Sequence, residues 1–185
     1  MRSDLPSLAR RIGADDRTLR RAIQRGCVRA GRPGPRRLDL DGEEASYLES
    51  HWGLLASLTD VLRTERGVRL AVMFGSVARG DEEPGSDLDV LVDTDGDLAS
   101  FARLRRRLAA AAGRPIQLTT LGDARQSALL IADVVEDGRV LVDRNGSWSG
   151  WVARLPELRE LAAREERQLD ARARAAFAYY SRPRA

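Results

Sequence analysis

Two apolar segments joined by a short polar one constrain the fold of this chain more than any other feature of its sequence. The first segment ends at "VMFGS" and the second begins at "SDLDVLV". Only about a dozen residues separate them, whereas a parallel crossover needs that many for its helix alone. The two segments are therefore predicted to be antiparallel neighbours in a sheet, with Gly75 and Ser76 beside Asp87 and Asp89.

The carboxylates of Asp87 and Asp89 predict a metal site. Alternate side chains of a strand project from one face, so both carboxylates face the same way. Carboxylates this close repel each other unless they share a cation, and Mg²⁺ suits carboxylate and phosphate oxygens. Gly75 lets a ligand approach the backbone, Ser76 can donate to a phosphate, and Arg79 can bind that phosphate or the acid two residues further on. Taken alone, "SDLD" is also typical of a capped turn with solvated acids.

The sequence from Val68 onward alternates strand and helix patterns, which predicts an α+β fold with a small mixed sheet and flanking helices. The predicted strands are "VRLAVMF", "LDVLV", "RPIQLTTL" and "RVLVD". Helices are predicted over "DLASFARLRRRLAAAAG", over residues 123–138 and from Trp148 onward. The last helix is expected to carry its apolar side chains on one side: Leu155, Leu158, Leu161 and Leu169.

The first 40 residues, which we call the head, contain two short helical patterns. The first is predicted over residues 6–12, and the second runs from Asp15 or Asp16 to Arg25, where Gly26 stops it. Two helices, a tight turn and a basic second helix are typical of an all-α helix-turn-helix. A small helical pair with a solvated arginine face is the alternative. The predicted DNA-binding residues are Arg17, Thr18, Arg20, Arg21 and Arg25.

The charge distribution favours DNA as the partner of the head. Residues 1–40 contain eleven arginines and four aspartates, a net charge of +7, whereas the whole chain is +3, so residues 41–185 sum to −4. A basic Pro/Gly-broken segment, "RAGRPGPRRL", follows the second helix and adds phosphate contacts. Asp41 and Glu44 then form the pattern of a capping box, which predicts a connecting helix up to about Glu65.

Several classes of site are excluded by composition. Lysine is absent from the chain, which excludes a P-loop. Cys27 and His51 are the only residues of their types, so neither a disulfide within the chain nor a Cys/His zinc site is expected. No apolar run approaches the ~20 residues that span a bilayer, and the charged start does not resemble a secretory signal. These features predict a cytoplasmic protein.

The segment "GSVARGDEEPGSDLD" resembles the signature of the minimal nucleotidyltransferases, the small members of the DNA polymerase β-like superfamily, and the resemblance continues through "GRPIQLTTL" and "EDGRVLVDR". It implies transfer of a nucleoside monophosphate from an NTP to a hydroxyl with two Mg²⁺. Many members are antitoxins or toxins of bacterial toxin–antitoxin pairs, so a toxin encoded nearby is an expected partner. The implied residues are Gly75, Ser76, Arg79 and Ser86 for the nucleotide, and Asp87 and Asp89 for the metals and catalysis.

This resemblance completes the predicted division of the chain: the head at 1–40, a connecting helix at 41–66, a nucleotidyltransferase domain at 67–146 and a helical extension at 147–185. The third strand departs from the family pattern. It is expected to run parallel to the second, with its start beside Asp87 and Asp89, where the family has a third carboxylate and this chain has Gln117. Two hypotheses remain open: a nucleotidyltransferase that modifies a macromolecular partner, or a catalytically impaired DNA-binding regulator that uses the fold to bind nucleotide or a partner.

Overall fold

The computed structural model describes residues 4–34 and 37–180. Its N-terminal elements are α1 (Leu5–Arg11), α2 (Asp16–Arg25), β1 (Gly31–Gly34), β2 (Arg37–Asp39) and the long helix α3 (Gly42–Thr64). The elements that follow are β3 (Val68–Phe74), α4 (Gly75–Arg79), β4 (Leu88–Thr94), α5 (Leu98–Ala112), β5 (Ile116–Thr120), α6 (Leu121–Ala124), α7 (Ala128–Asp137), β6 (Arg139–Asp143), α8 (Trp148–Ala153) and α9 (Leu155–Tyr180).

The central sheet has four strands in the order β5-β4-β3-β6. Strands β3 and β4 are antiparallel, and Phe74 lies opposite Asp89. Strand β5 is parallel to β4, and Gln117 lies opposite the same Asp89. The predicted pairings are therefore both present, and the predicted α+β class with a small mixed sheet is confirmed.

The two faces of the sheet are covered by different elements. Side chains alternate along a strand, so neighbouring residues enter different clusters. Ala71 and Met73 of β3 face one hydrophobic cluster, which also contains buried side chains of α1, α2, α3 and α5. Leu70 and Val72 face a second cluster, formed with α6, α7 and α9. The head therefore shares its core with one face of the sheet.

The N-terminal helices lie where the sequence predicts them, within one residue at each end. The Asp15 side chain accepts a hydrogen bond from the Thr18 N–H at the start of α2, and Gly26 ends the helix with a φ of 87°. Beyond the helices, β1 and β2 pair antiparallel, with Gly31 opposite Asp39. The head thus adds a short two-stranded sheet to the expected helices.

The helix predicted over residues 123–138 is divided. Helix α6 begins at Leu121, earlier than expected, and α7 starts after Ser127, whose hydroxyl accepts a hydrogen bond from the Leu130 N–H. The Glu165 carboxylate of α9 accepts from the N–H groups of Ala128 and Leu129. A helix start leaves its first N–H groups without intrahelical acceptors, and these two side chains supply them.

The C-terminal helical segment is also divided, into α8 and α9, with Pro156 in the first turn of α9 where a missing N–H is tolerated. Leu158 of α9 is buried in the cluster that also contains α7. Leu161 is 38% exposed and Leu169 is 48% exposed. The predicted single apolar side is therefore used only in its first part. Within the residues that the structure describes, no helix combines the length and the apolar character that crossing a membrane requires.

Candidate nucleotide and metal site

The turn between β3 and α4 is built around Gly75. Its φ is +75°, a left-handed conformation that costs other residues free energy. A Cβ on Gly75 would lie 2.5 Å from Oδ2 of Asp89, closer than any real contact. Glycine is therefore required here for two independent reasons. Its absence of a side chain brings the backbone of the turn against the carboxylate of the neighbouring strand.

Asp89 lies in an electrostatically unfavourable position. Partial burial raises the pKa of its carboxyl above the ordinary value, and the negative charge of Asp87 raises this pKa further. Arg79 acts in the opposite direction and only partly compensates. A divalent cation would remove this repulsion, so the two carboxylates are candidate metal ligands.

Gln117 lies beside Asp89, on the strand next to β4 in the sheet. It is exposed and directly opposite Asp89 on the parallel strand β5, which is the position that sequence reasoning assigned to the missing third acid. Among the described residues, no group of three or more His, Cys, Asp or Glu side chains could hold a metal ion. Two carboxylates, an amide oxygen and the phosphates of a bound nucleotide are a donor set that fits Mg²⁺.

Arg79 ends α4 and is held by two carboxylates. Its Nε lies 3.1 Å from Oδ2 of Asp81, and its Nη1 lies 2.6 Å from Oδ2 of Asp137 at the end of α7. Both hydrogen bonds raise the pKa of its guanidinium. Burial and the charges of Asp137 and Glu136 raise the pKa of Asp133 on the same helix, whereas Arg79 lowers it. Arg79 is thus an ion-paired cation between α7 and the carboxylate site.

The two serines of the predicted site differ in their surroundings. Ser76 is half-buried in the first turn of α4, and its carbonyl accepts from the N–H groups of Gly80 and Asp81. The Ser86 hydroxyl accepts a hydrogen bond of 3.0 Å from the Glu83 N–H. Ser86 therefore closes the loop that leads into Asp87, whereas Ser76 belongs to the turn itself.

Three predicted DNA-binding arginines lie on the exposed face of α2. Arg17, Arg20 and Arg21 are all exposed, and Nε of Arg20 lies 2.6 Å from Oδ2 of Asp16. Their positions agree with the predicted outward face, and the apolar residues of α2 are buried as expected.

The other two predicted DNA-binding residues make contacts within the protein. The Thr18 hydroxyl donates to the Asp15 carboxylate at the start of α2, 2.7 Å away. Arg25 is half-buried, and its Nε donates to the carbonyl oxygen of Val140 at 3.0 Å. Arg25 therefore connects the head to β6.

A buried ion pair is the feature that sequence reasoning missed. Arg139 and Glu44 are 1% and 5% exposed, and their side chains make two hydrogen bonds of 2.7 and 2.9 Å. The pattern Asp41/Glu44 predicted a capping box, but only the Asp41 half forms, because the Glu44 carboxylate faces Arg139 instead. An arginine at the start of the apolar run "RVLVD" is the signal that could have indicated a buried pair.

Comparison with known proteins agrees with this geometry. The family model for polymerase β nucleotidyltransferases matches residues 56–147. Among curated proteins, none matches the chain. A solved structure described as a toxin–antitoxin with AMP-PNP is 23% identical, with a TM-score of 0.51 over 63% of this chain and 96% of that chain. A mutant MntA–HpeT toxin–antitoxin structure is 21% identical, with a TM-score of 0.52 and the same coverage.

At these identities the structural similarities establish the fold, and the family match identifies the domain. It includes the Gly75 turn, both carboxylates and Gln117. Residues 56–147 of this chain are therefore a nucleotidyltransferase domain of the polymerase β family.

Proposed function

We propose that the chain is a Mg²⁺-dependent nucleotidyltransferase that transfers a nucleoside monophosphate from an NTP to a hydroxyl of a macromolecular partner. The observation that carries the proposal is the contact between the Gly75 turn and Asp89, where a Cβ would lie 2.5 Å from the carboxylate oxygen. A turn that can bind phosphates therefore lies directly beside a carboxylate that can bind a cation. Mg²⁺–NTP is the ligand that satisfies both.

Each site residue has a role in this proposal. The backbone N–H groups of Gly75 and Ser76 bind phosphate oxygens, and Asp87 and Asp89 hold the cation. Arg79 keeps the turn helix in place through its ion pairs and adds positive charge beside the phosphates. Bound Mg²⁺ would neutralise phosphate charge and lower the pKa of the acceptor hydroxyl.

Nucleotide binding tests the site directly. Asp87→Ala/Asp89→Ala should weaken Mg²⁺–ATP binding in calorimetry by about a hundredfold or more, because it removes both charged metal ligands. Glu166→Ala/Asp170→Ala removes two exposed acids of α9 and is the matched control for net charge. Equal affinity of the two double variants would refute the assignment.

Gln117 supports a second candidate function. A neutral amide lies where the family has an acid, so a metal that activates the acceptor hydroxyl would be held weakly. In this alternative the chain is a catalytically impaired, DNA-binding regulator or antitoxin that uses the fold to bind nucleotide or a partner.

A transfer assay separates the two candidates. Radiolabelled NTP is incubated with the product of the neighbouring gene and either the native protein or Gln117→Asp. Slow native transfer that Gln117→Asp accelerates supports the enzyme, and no native transfer with retained NTP binding supports the regulator. Fast native transfer that Gln117→Asp leaves unchanged would mean that another acid is the third ligand. Asp93 is a poor candidate because it makes a two-point ion pair with Arg69.

We further propose that residues 1–40 bind duplex DNA as a helix-turn-helix head, followed by the connecting helix at 41–66, the nucleotidyltransferase domain at 67–146 and the helical extension at 147–185. Removal of the head is an unsuitable test, since its buried side chains belong to the same hydrophobic cluster as α3 and the sheet. Arg17→Ala/Arg21→Ala should instead weaken binding to a duplex from the promoter of the gene and lower the salt slope by about two.

The control for this DNA measurement is Arg167→Ala/Arg172→Ala on the exposed part of α9, which removes the same charge. If both double variants bind the duplex as the native protein does, α2 is not the DNA-binding surface.

We also propose that the protein acts in the cytoplasm and that its macromolecular partner is a toxin encoded by a nearby gene. The support is the similarity of fold to structures described as toxin–antitoxin complexes, one of them with the ATP analogue AMP-PNP.

A further inference from the structure

Arg139 makes polar contacts with three separate parts of the chain. Its Nε donates to the carbonyl oxygen of Ala78 at 2.6 Å, and its Nη1 donates to the carbonyl oxygen of Cys27 at 3.3 Å. The guanidinium pairs with both carboxylate oxygens of Glu44 and lies 3.5 Å from the centre of the Tyr47 ring. At 1% exposure, this cation is enclosed by the protein.

The three parts that Arg139 joins have different roles. Ala78 belongs to α4, the helix that begins with the Gly75 turn. Cys27 follows Gly26, the residue that ends α2 of the head, and Glu44 lies in the first turn of α3. A single side chain therefore connects the backbone of the candidate nucleotide site to the backbone of the head.

The head is bound to the same region by further hydrogen bonds. The Arg29 N–H donates to Glu44 Oε1 at 2.9 Å, and the Arg29 side chain donates to the carbonyl oxygen of Asp137 at 2.6 Å. The Val140 N–H donates to the carbonyl oxygen of Gly26 at 3.2 Å. Head residues 26–29 are thus held by the charged groups and backbone that also surround Arg139.

We propose that Arg139 is a positioning residue that couples the nucleotide turn to the head, so that a nucleotide bound at Gly75 and Ser76 strengthens the docking of residues 26–29. The coupling rests on the proposed function in one respect, namely that NTP is the ligand of the turn. A buried guanidinium with fixed acceptors cannot follow a shift of α4 without losing a bond to the head or to Glu44. A ligand that holds α4 in place therefore favours the docked head, and the effect is reciprocal.

Hydrogen–deuterium exchange on the full-length protein measures this coupling without DNA. The reporting amides are Arg29, which donates to Glu44, and Gly80 and Asp81, which donate to the Ser76 carbonyl at the end of α4. Mg²⁺–ATP should slow exchange in the native protein at both places, by about fivefold or more. No change at Arg29 in a native sample that calorimetry shows to be saturated with ATP would overturn the proposal.

Glu44→Gln separates the coupling from the site itself. This isosteric change removes the charge that holds Arg139 but keeps the Oε1 oxygen that accepts from the Arg29 N–H, so the reporting hydrogen bond itself is retained. We expect ATP to slow exchange at Gly80 and Asp81 but no longer at Arg29. Glu136→Gln, which changes the exposed pair with Arg159, is the matched control and should behave as the native protein. A native response at Arg29 in Glu44→Gln would contradict the coupling.

The Arg139→Lys variant tests the connection between the head and the turn in the absence of nucleotide. Lysine keeps the charge but cannot bond Ala78, Cys27 and Glu44 together, so exchange should become faster at Arg29 and at Gly80 in the same sample. Faster exchange at only one of the two places would show that the head and the turn are independent. If calorimetry detects no ATP binding by the native protein, the proposed function fails. The exchange measurement on Arg139→Lys still tests whether Arg139 connects the head to the turn.

Discussion

The Arg139–Glu44 pair and the Asp87–Asp89 pair differ in the signs of their charges. The first combines opposite charges, whereas the second brings two negative charges together. Arg139 and Glu44 are almost fully buried, and each charge is matched by the other and by backbone groups. Asp87 and Asp89 carry charges of the same sign, and partial burial together with this repulsion raises the pKa of Asp89. The charges of the first pair are balanced within the protein, whereas those of the second repel each other and could be balanced by a bound cation.

This difference suggests a physical criterion that separates a structural charge from a candidate ligand-binding charge. A buried charge costs a large desolvation free energy, which is offset only when its hydrogen bonds are complete. Like charges left close together are unfavourable in the free protein and become favourable only when a ligand arrives. This contrast predicts effects of different size for variants of the two pairs.

Arg139→Met should strongly destabilise the protein. It leaves Glu44 buried without its cation, and breaking a buried pair costs about 3–5 kcal/mol of unfolding free energy. Urea denaturation followed by circular dichroism measures the change. Arg139→Met/Glu44→Leu should recover most of the loss, because no uncompensated charge remains.

The surface pair formed by Arg159 and Glu136 is the control for this measurement. Its side chains are 56% and 47% exposed, so water replaces the lost contact and Arg159→Met should have a much smaller effect. A similar loss for both arginine variants would mean that burial does not distinguish the two pairs.

Gly75→Ala should abolish ligand binding at the carboxylate site. Its effect on stability should be smaller than that of Arg139→Met and larger than that of Asp89→Asn. The variant adds a Cβ that would lie 2.5 Å from Asp89 Oδ2, and it adds the cost of a positive φ, about 1–2 kcal/mol. Gly85→Ala is a matched control, because Gly85 has a φ of +91° but no atom within 4 Å of its Cβ position. We expect Gly75→Ala to lose Mg²⁺–ATP binding, measured by calorimetry, and Gly85→Ala to retain it.

Asp89→Asn should have the smallest effect, with a direction set by pH. The folded-state pKa of Asp89 is raised above its ordinary value of 3.8, so the native protein loses stability as the pH rises through that pKa. Without metal, the melting temperature of Asp89→Asn relative to the native protein should therefore increase from about pH 4 towards neutrality. Added Mg²⁺ should reverse the difference by stabilising only the native site.

Asp97 provides the comparison of opposite sign for this pH series. A hydrogen bond from the Ser100 N–H lowers the pKa of Asp97 at the start of α5, so its contribution is present at neutral pH and is lost as the pH falls through the lowered pKa. Asp97→Asn should thus become less stable relative to the native protein as the pH rises. Parallel curves for both variants would show that the pKa of Asp89 is not raised in the folded protein.

Local and short-range features of the fold followed from the sequence. The short segment between β3 and β4 required antiparallel pairing, and the helix between β4 and β5 allowed a parallel return, which placed Gln117 opposite Asp89. The α2 boundaries followed from Asp15 and Gly26, whose capping roles depend only on neighbouring residues. Each of these features involves elements that are consecutive along the chain.

The errors arose where a distant partner outweighed the local pattern. Glu44 matches a capping box, but its carboxylate binds an arginine 95 positions away. The helix expected at 123–138 is divided at a point where Glu165 of α9 supplies the acceptor for the N–H groups that begin α7. Leu161 and Leu169 continue an apolar period beyond the part of α9 that packs on α7.

The residue types of the candidate site, their order and the pairing of their strands were determined by the sequence, because strand alternation and connection length leave few arrangements. The tertiary structure alone decided which charges are matched. Ion pairing depends on distances between segments far apart in the chain, and burial decides what an unmatched charge costs. For this reason Asp87 and Asp89 could be predicted as a candidate site from the sequence, whereas the hydrogen bonds of Arg139 to α4 and to the head could not.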